Sequence, residues 1–99
     1  MSSERKKIGI LGGSFNPAHK GHIIISKEAK KRFGLKYIIW AITKKNPFKG
    51  RSNTNLTTRI KNCKKIIGNK KYIKVGFYED IIKLFPNFSF TSYLILVRN

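Results

Sequence analysis

Apolar and polar positions follow two different patterns along the chain, one typical of strands and one typical of helices. Short apolar segments, as in strands buried on both faces, occur at 7–13 ("KIGILGG"), 37–42 ("YIIWAI") and 72–77 ("YIKVGF"). Between them, apolar residues recur every three or four positions, as on one face of a helix. This spacing predicts helices at 22–34 ("HIIISKEAKKRFG") and 56–67 ("LTTRIKNCKKII").

Glycines mark the ends of these elements. The first strand is expected to stop at Gly12 and Gly13, and the two helices at Gly34 and Gly68. The polar stretch 43–54, which contains Pro47 and Gly50, predicts a loop. The last segment, 91–99 ("TSYLILVRN"), is expected to form a third helix, although its unbroken apolar run departs from the amphipathic pattern.

Strands that alternate with helices favour right-handed βαβ units. The fold class predicted is therefore α/β, a Rossmann-like parallel sheet of about three strands with flanking helices, and "IGIL" is expected to be a central strand. Ligands bind at the carboxyl ends of the strands in such sheets. The first strand-to-helix turn, residues 12–22 ("GGSFNPAHKGH"), lies at that edge.

The charge of the chain is strongly positive, +18 from 22 lysines and arginines against 4 acidic residues in 99. This charge fits either a polyanionic partner or a coding bias that places lysine on every solvated face. The lysines are scattered in pairs and no aromatic-interleaved RNA-binding motif is present, so nucleic acid is not the favoured partner. Nothing in the composition beyond charge selects a function.

Cysteine usage and hydropathy indicate the cellular compartment. Cys63 is the single cysteine, which excludes an internal disulfide and fits a reducing cytoplasm. No apolar run approaches the length of a membrane span, and "MSSERKKIGIL" is too short and too weakly apolar for a signal peptide. We therefore expect a cytoplasmic protein without a membrane partner.

The residue types in the turn 12–22 suit phosphate binding. Gly12 and Gly13 allow the backbone to approach an anion, and the following helix N-terminus attracts negative charge. His19 and His22, three residues apart, share one helical face, and Gly21 leaves room for a ligand between them. Both imidazoles are expected near their switch point at about pH 6.5. The dinucleotide and Walker patterns are absent.

Two other interpretations of the histidine pair stay open. Two histidines at this spacing can ligate a metal, but no cysteine, aspartate or glutamate nearby completes a site. They can also be incidental surface residues. We therefore predict a phosphate-binding turn without a metal held by the protein.

The same turn resembles the signature G-G-[ST]-F-[DN]-P-x-H-x-G-H of the H-x-G-H nucleotidylyltransferases, and in particular of bacterial nicotinate-nucleotide adenylyltransferases. The resemblance implies that residues 1–99 are the N-terminal part of a nucleotidylyltransferase domain. The family's second half, with an I-S-[ST]-T-x-[IV]-R motif that grips the ATP phosphates, is absent from these 99 residues. Further residues fit the family pattern: Trp40, Pro47, Lys49, Arg59, Glu79–Asp80 and Phe90–Thr91.

The resemblance also implies an activity, adenylyl transfer from ATP to nicotinate mononucleotide, which gives deamido-NAD and pyrophosphate. The roles it implies are catalysis by His19 and His22, binding of the ATP phosphates by Gly12, Gly13, Ser14, Phe15 and Gly21, and binding of the mononucleotide by Asn16, Lys49 and Thr91. Mg²⁺ would enter with ATP, held mostly by substrate and water. For Lys49, the interpretation as one more solvated lysine stays open.

Two alternatives to an active enzyme remain. One is a catalytically inactive fragment that binds nucleotides weakly, and the other is a basic RNA-associated protein. We expect the isolated 99 residues to bind ATP weakly and to show no turnover unless a second polypeptide supplies the missing half.

Overall fold

The computed structural model describes residues 7–45, 55–83 and 94–98. Strands and helices alternate through most of this part of the chain, as the sequence predicts. The elements are β1 (Ile8–Gly13), α1 (Lys20–Phe33), β2 (Tyr37–Ile42), α2 (Leu56–Ile67), β3 (Ile73–Phe77), the four-residue helix α3 (Tyr78–Ile81) and β4 (Leu94–Arg98). The three predicted strands and two predicted helices are confirmed, with α1 starting two residues earlier than expected.

The strands form one sheet in the order β3-β2-β1-β4. β1, β2 and β3 run parallel, with Ile10 opposite Ile39 and Trp40 opposite Val75. Three consecutive parallel strands with connecting helices confirm the Rossmann-like α/β class, and β1 is a central strand as predicted. The carboxyl ends of these three strands therefore meet at one edge of the sheet.

The helix expected at 91–99 is wrong. Leu94–Arg98 is a strand that runs antiparallel to β1, with Leu96 opposite Ile10. A short unbroken apolar run is consistent with a buried strand and lacks the spacing of an amphipathic helix. The helix was predicted because strands and helices alternate along the rest of the chain. The sheet thus has four strands instead of three, and β1 has a neighbour on each side.

Side chains alternate between the two faces of the sheet. One face packs against α1 and α2 and forms the main core, whose buried members include Leu11, Ile38, Trp40, Ile73, Ala29, Cys63 and Ile67. On the other face Ile10 and Ala41 pack with Ile81 of α3. The helices α1 and α2 thereby lie on the same side of the sheet, with their N-termini directed to its carboxyl edge.

The ends of the helices are fixed by local hydrogen bonds. Gly34 ends α1 with φ 62°, the left-handed conformation that glycine adopts without strain, and its N–H donates to the Lys30 carbonyl. The Asn55 side chain caps α2 by accepting from the Thr58 N–H at 2.8 Å. Across residues 7–45, 55–83 and 94–98, no helix has the length and apolar character needed to cross a membrane.

Candidate active site

The turn between β1 and α1 is folded back into the core by one aromatic residue. Phe15 has φ 52° although it is not glycine, and its side chain is only 2% exposed. Its ring stacks on Trp40 of β2, with centroids 5.0 Å apart and 19° between the planes. Burial of this ring holds the backbone in a conformation that a non-glycine residue adopts at a cost, and so gives the turn one shape.

His19 and His22 cap the start of α1 reciprocally. The Nδ1 atom of His19 accepts from the Gly21 N–H at 3.0 Å, and Nδ1 of His22 accepts from the His19 N–H at 3.0 Å. This is the geometry of a capping box, with imidazoles in place of the usual hydroxyl and carboxylate. The ring centroids are 4.0 Å apart, so the structure brings the two imidazoles together at the helix N-terminus.

The capping hydrogen bonds determine which ring nitrogen carries the proton. A neutral imidazole has one donor and one acceptor nitrogen. Because Nδ1 accepts a backbone hydrogen bond in both rings, the proton of each neutral ring lies on Nε2. Each neutral ring of the pair therefore carries its N–H on Nε2, and an imidazole N–H is a donor type suited to phosphate oxygens.

His22 does not lie near its switch point, contrary to the sequence prediction. Burial of the ring and the nearby His19 lower the pKa of His22 from 6.5 to about 4, while a hydrogen bond with the His19 backbone opposes the shift. The ring is 5% exposed, so water cannot stabilise its cation. His22 is consequently a neutral donor at pH 7.

The absence of a side chain at Gly21 makes room for the His19 ring. A Cβ atom at Gly21 would lie 2.8 Å from Cε1 and 2.9 Å from Nδ1 of His19. Both distances are shorter than Cβ atoms tolerate. The absence of a side chain at position 21 therefore lets the His19 ring fold over the helix and accept its capping hydrogen bond.

Trp40 and Ser26 fix the first turns of α1 to β2. The Trp40 indole Nε1–H donates to Ser26 Oγ at 2.7 Å, and the Ser26 hydroxyl donates to the His22 carbonyl at 2.8 Å. Both side chains are fully buried. Sequence reasoning missed Ser26, and the available signal was a serine on the apolar face of α1, four residues after His22.

Arg59 of α2 is buried at the carboxyl edge of the sheet. Its Nη1 donates to the Ser14 carbonyl at 3.0 Å and to the Thr43 carbonyl at 2.7 Å. Nη2 lies 3.4 Å from the Lys44 carbonyl, a longer donor–acceptor distance. Burial lowers the pKa of the guanidinium, and the charge of Glu79 offsets part of that shift. Arg59 thus joins the turn after β1 to the segment after β2.

The acidic residues that follow β3 bind the same segment. Glu79 accepts from Thr43 Oγ1 at 2.6 Å and from the Lys44 N–H at 2.8 Å, and Asp80 lies 3.6 Å from Lys44 Nζ. Burial disfavours the Glu79 carboxylate, but hydrogen bonds from Thr43 and the backbone of Lys44 and Lys45 hold its pKa below the usual value. Sequence reasoning did not select Thr43, which follows an apolar strand without any motif.

The other predicted site residues divide into three groups. Gly12 and Gly13 are the last residues of β1, paired with Ala41 and Ile42, so they belong to the strand and not to the turn. Asn16 lies in the turn and is partly exposed. Lys49 and Thr91, with Pro47 and Phe90, lie outside the described residues.

The described residues do not form a donor set for a metal ion. Within the ranges that the structure covers, no group of three or more histidine, cysteine, aspartate or glutamate side chains lies together in a way that could hold a metal ion. The nearest carboxylates to the segment after β2, those of Glu79 and Asp80, are engaged with Thr43 and Lys44.

This chain is similar in sequence to known proteins over most of its length. Residues 10–96 match the family model described as "Cytidylyltransferase-like". A protein of Pelagibacter ubique named "Probable nicotinate-nucleotide adenylyltransferase" is 55% identical over 94 residues, covering 95% of this chain and 52% of the relative. A protein of the same name from Agrobacterium fabrum is 40% identical over 73 residues, covering 73% of this chain and 38% of the relative.

The chain spans about half the length of the Pelagibacter relative, and a smaller share of the Agrobacterium one. The matched region, residues 10–96, includes every site residue described above. The family match extends over nearly the whole of this chain, and the three parallel strands with flanking helices are consistent with that fold. On these grounds the chain belongs to the cytidylyltransferase-like family.

Proposed function

We propose that this chain binds ATP at the N-terminus of α1 and takes part in adenylyl transfer to nicotinate mononucleotide, which gives deamido-NAD and pyrophosphate. The observation that carries the proposal is the pair of imidazoles whose Nδ1 atoms are both occupied by capping hydrogen bonds. The names of the relatives support the choice of substrates.

In the proposed reaction, a phosphate oxygen of the mononucleotide attacks the α-phosphorus of ATP. A new P–O bond forms, the bond between the α-phosphorus and the bridging oxygen breaks, and pyrophosphate leaves with that electron pair. The Nε2–H groups of His19 and His22 donate to phosphate oxygens as negative charge shifts toward the pyrophosphate. Because His22 is neutral at pH 7, it acts as a hydrogen-bond donor without transferring its proton.

The rest of the ATP site is provided by the end of β1. Gly12 and Gly13 form the last residues of that strand, and Ser14 and Phe15 begin the turn beside the α1 N-terminus. Backbone N–H groups and the helix dipole at such a position stabilise bound phosphate. No covalent enzyme intermediate is required, so catalysis depends on orientation and on charge stabilisation.

Mg²⁺ fits this site as a partner of ATP. Mg²⁺ commonly binds through substrate phosphates and water with one or two carboxylates, and no multi-residue metal cluster is present in residues 7–45 and 55–83. When bound with ATP, the ion would neutralise phosphate charge.

For the mononucleotide we propose contacts from Asn16, Lys49 and Thr91.

We propose the cytoplasm as the compartment. As a further partner we propose a second polypeptide that supplies the part of the domain present in the remaining length of the relatives. The corresponding test adds the unmatched part of the Pelagibacter relative to the purified chain in trans. We expect pyrophosphate release only in the mixture. Release by the chain alone at about one turnover per second, an ordinary enzyme rate, would show that no second polypeptide is needed.

The histidines are tested by substitution in whichever preparation releases pyrophosphate. His19→Ala and His22→Ala should each lower turnover by about 10²–10³, the usual loss on removing one donor to developing charge. Lys27→Ala, on an exposed position of α1, serves as the control and should leave turnover unchanged. Unaltered rates in both histidine variants would overturn the proposed role of the pair in catalysis. If both variants of the isolated chain bind ATP as well as the unsubstituted chain does, the histidines do not bind ATP in the isolated chain.

A further inference from the structure

Thr43 is hydrogen-bonded on two sides to residues of opposite charge. Arg59 binds its carbonyl at 2.7 Å and Glu79 binds its hydroxyl at 2.6 Å. We call Arg59, Thr43 and Glu79 the Thr43 clamp. We propose that Arg59 and Glu79 are positioning residues that fix, through Thr43, the spacing between the two substrates of the transfer reaction. The proposal rests on the proposed function and adds residues that touch neither substrate.

The Arg59 side of the clamp joins two strands. A single nitrogen, Nη1, donates to the Ser14 carbonyl and to the Thr43 carbonyl. Ser14 directly follows β1, and Thr43 directly follows β2. The guanidinium is planar and rigid, and the side chain is 2% exposed, so water does not compete for these bonds. The separation of the two strand ends is thereby fixed.

The Glu79 side joins the third strand to the same point. Glu79 lies in α3, which follows β3 without an intervening residue. One carboxylate oxygen accepts from the Thr43 hydroxyl and the other from the Lys44 N–H. Hydrogen bonds to an ionised acceptor are stronger than neutral ones. The carboxyl ends of all three parallel strands are therefore connected through Thr43.

The two charges of the clamp also balance each other. A buried guanidinium without a nearby anion is costly; burial lowers the pKa of Arg59, and the negative charge of Glu79 offsets part of that shift. Such a network restricts the segment after β2 to one arrangement. Small errors in the placement of reactants reduce transfer rates strongly, by about 10²-fold for 1 Å, so a fixed spacing has direct catalytic value.

The clamp predicts different effects for its two charged members. The hydrogen bonds of Glu79 within the described residues go to Thr43 and Lys44, in the segment after β2. Lys49, proposed to contact the mononucleotide, follows that segment by four residues in sequence. Arg59 contacts both that segment and Ser14, at the proposed ATP phosphate site. Loss of the Glu79 charge should therefore weaken mononucleotide binding selectively, whereas a change at Arg59 should weaken binding of both substrates.

The experiment measures the dissociation constants (Kd) of ATP and nicotinate mononucleotide separately by titration calorimetry, on the chain mixed with the unmatched part of the Pelagibacter relative. For Glu79→Gln we expect the mononucleotide Kd to rise about tenfold, equivalent to loss of one charge-assisted hydrogen bond, and the ATP Kd to change less than twofold. Thr43→Val should reproduce this split. Arg59→Lys should raise both constants. Glu28→Gln, which removes an exposed ion pair with Arg32, is the matched control and should alter neither.

Each outcome has a defined meaning. If Glu79→Gln and Thr43→Val raise both constants equally, or raise neither, the clamp is structural only and the proposal is overturned while the proposed function stands. If the mixture that contains the unsubstituted chain binds ATP but no mononucleotide, the proposed substrate is wrong and the positioning proposal falls with it. Thermal melting of each variant identifies unfolding, and Thr43→Val keeps the test decisive if Arg59→Lys fails to fold.

Discussion

His22 is one of two histidines in a chain with 22 lysines and arginines, and burial keeps its ring neutral at pH 7. The pattern of the sequence places two imidazoles on one helical face but contains no measure of how deeply each is buried. In the structure His22 packs against Phe15, with ring centroids 4.6 Å apart, and His19 is exposed. The same residue type therefore has two environments within one turn of helix.

The depressed pKa of His22 predicts a loss of stability in mild acid. The unfolded chain protonates this ring near pH 6.5, whereas the folded protein does so only near pH 4. Between these values the unfolded state binds more protons, so the free energy of unfolding falls as the pH drops, by roughly 3 kcal/mol in total. Denaturant titrations at several pH values between 4 and 7 measure this slope.

The matched variant is His22→Gln, because glutamine keeps a capping acceptor at this position of the helix and does not titrate. Its free energy of unfolding should vary much less with pH in that range. Equal slopes in the two proteins would contradict a buried, neutral His22.

Gly21→Ala should separate stability from ATP binding. The new Cβ displaces the His19 ring, which is the movable end of a side chain, while alanine is the better helix former. We expect the free energy of unfolding to change by less than about 1 kcal/mol and the ATP affinity to fall to that of His19→Ala. The double variant should bind ATP no more weakly than His19→Ala alone, and additive losses would show that Gly21 acts on ATP independently of His19.

At the level of elements, one buried hydrogen bond links α1 to β2. Ser26→Ala removes the acceptor of the Trp40 Nε1–H, and an indole N–H left unsatisfied in the core costs about 1–3 kcal/mol. We expect a loss of this size in denaturant unfolding. In the Trp40→Phe background the same serine change should cost clearly less, since no donor remains. Equal costs in both backgrounds would assign the loss to packing alone.

The periodicity of the sequence was sufficient to predict β1, β2, α2 and the end of α1 at Gly34, because each combines a clear apolar pattern with a stop signal. The segment 94–98 was mispredicted as helix because the alternation of strands and helices suggested a helix there, whereas its pairing with β1, a strand distant in sequence, makes it a strand. Arg59 and Glu79 were singled out only by resemblance to a family, and their shared partner Thr43 was not. Hydrogen bonds across 16 to 36 positions leave no local periodic signal.

For the whole molecule, net charge is the dominant electrostatic property. A chain of 99 residues with charge +18 repels itself when folded, and added salt screens this repulsion. We expect the melting temperature to rise by about 5 °C, equivalent to about 1 kcal/mol, between very low ionic strength and 0.5 M NaCl. KCl should act equally, since screening is not specific to the ion. A melting temperature independent of salt would show that the lysines are too dispersed for their repulsion to matter.

The antiparallel placement of β4 returns the chain to where it entered the sheet. Ile8 and Arg98 are directly opposite each other, and opposed residues of antiparallel strands have Cα atoms about 4.5–5.5 Å apart. A short linker could therefore join these two positions without disturbing a single strand pairing. New chain ends opened in the exposed turn at 68–71 would give a circular permutant with the same sheet order, in which β3 is made first and the turn between β1 and α1 lies in the middle of the polypeptide.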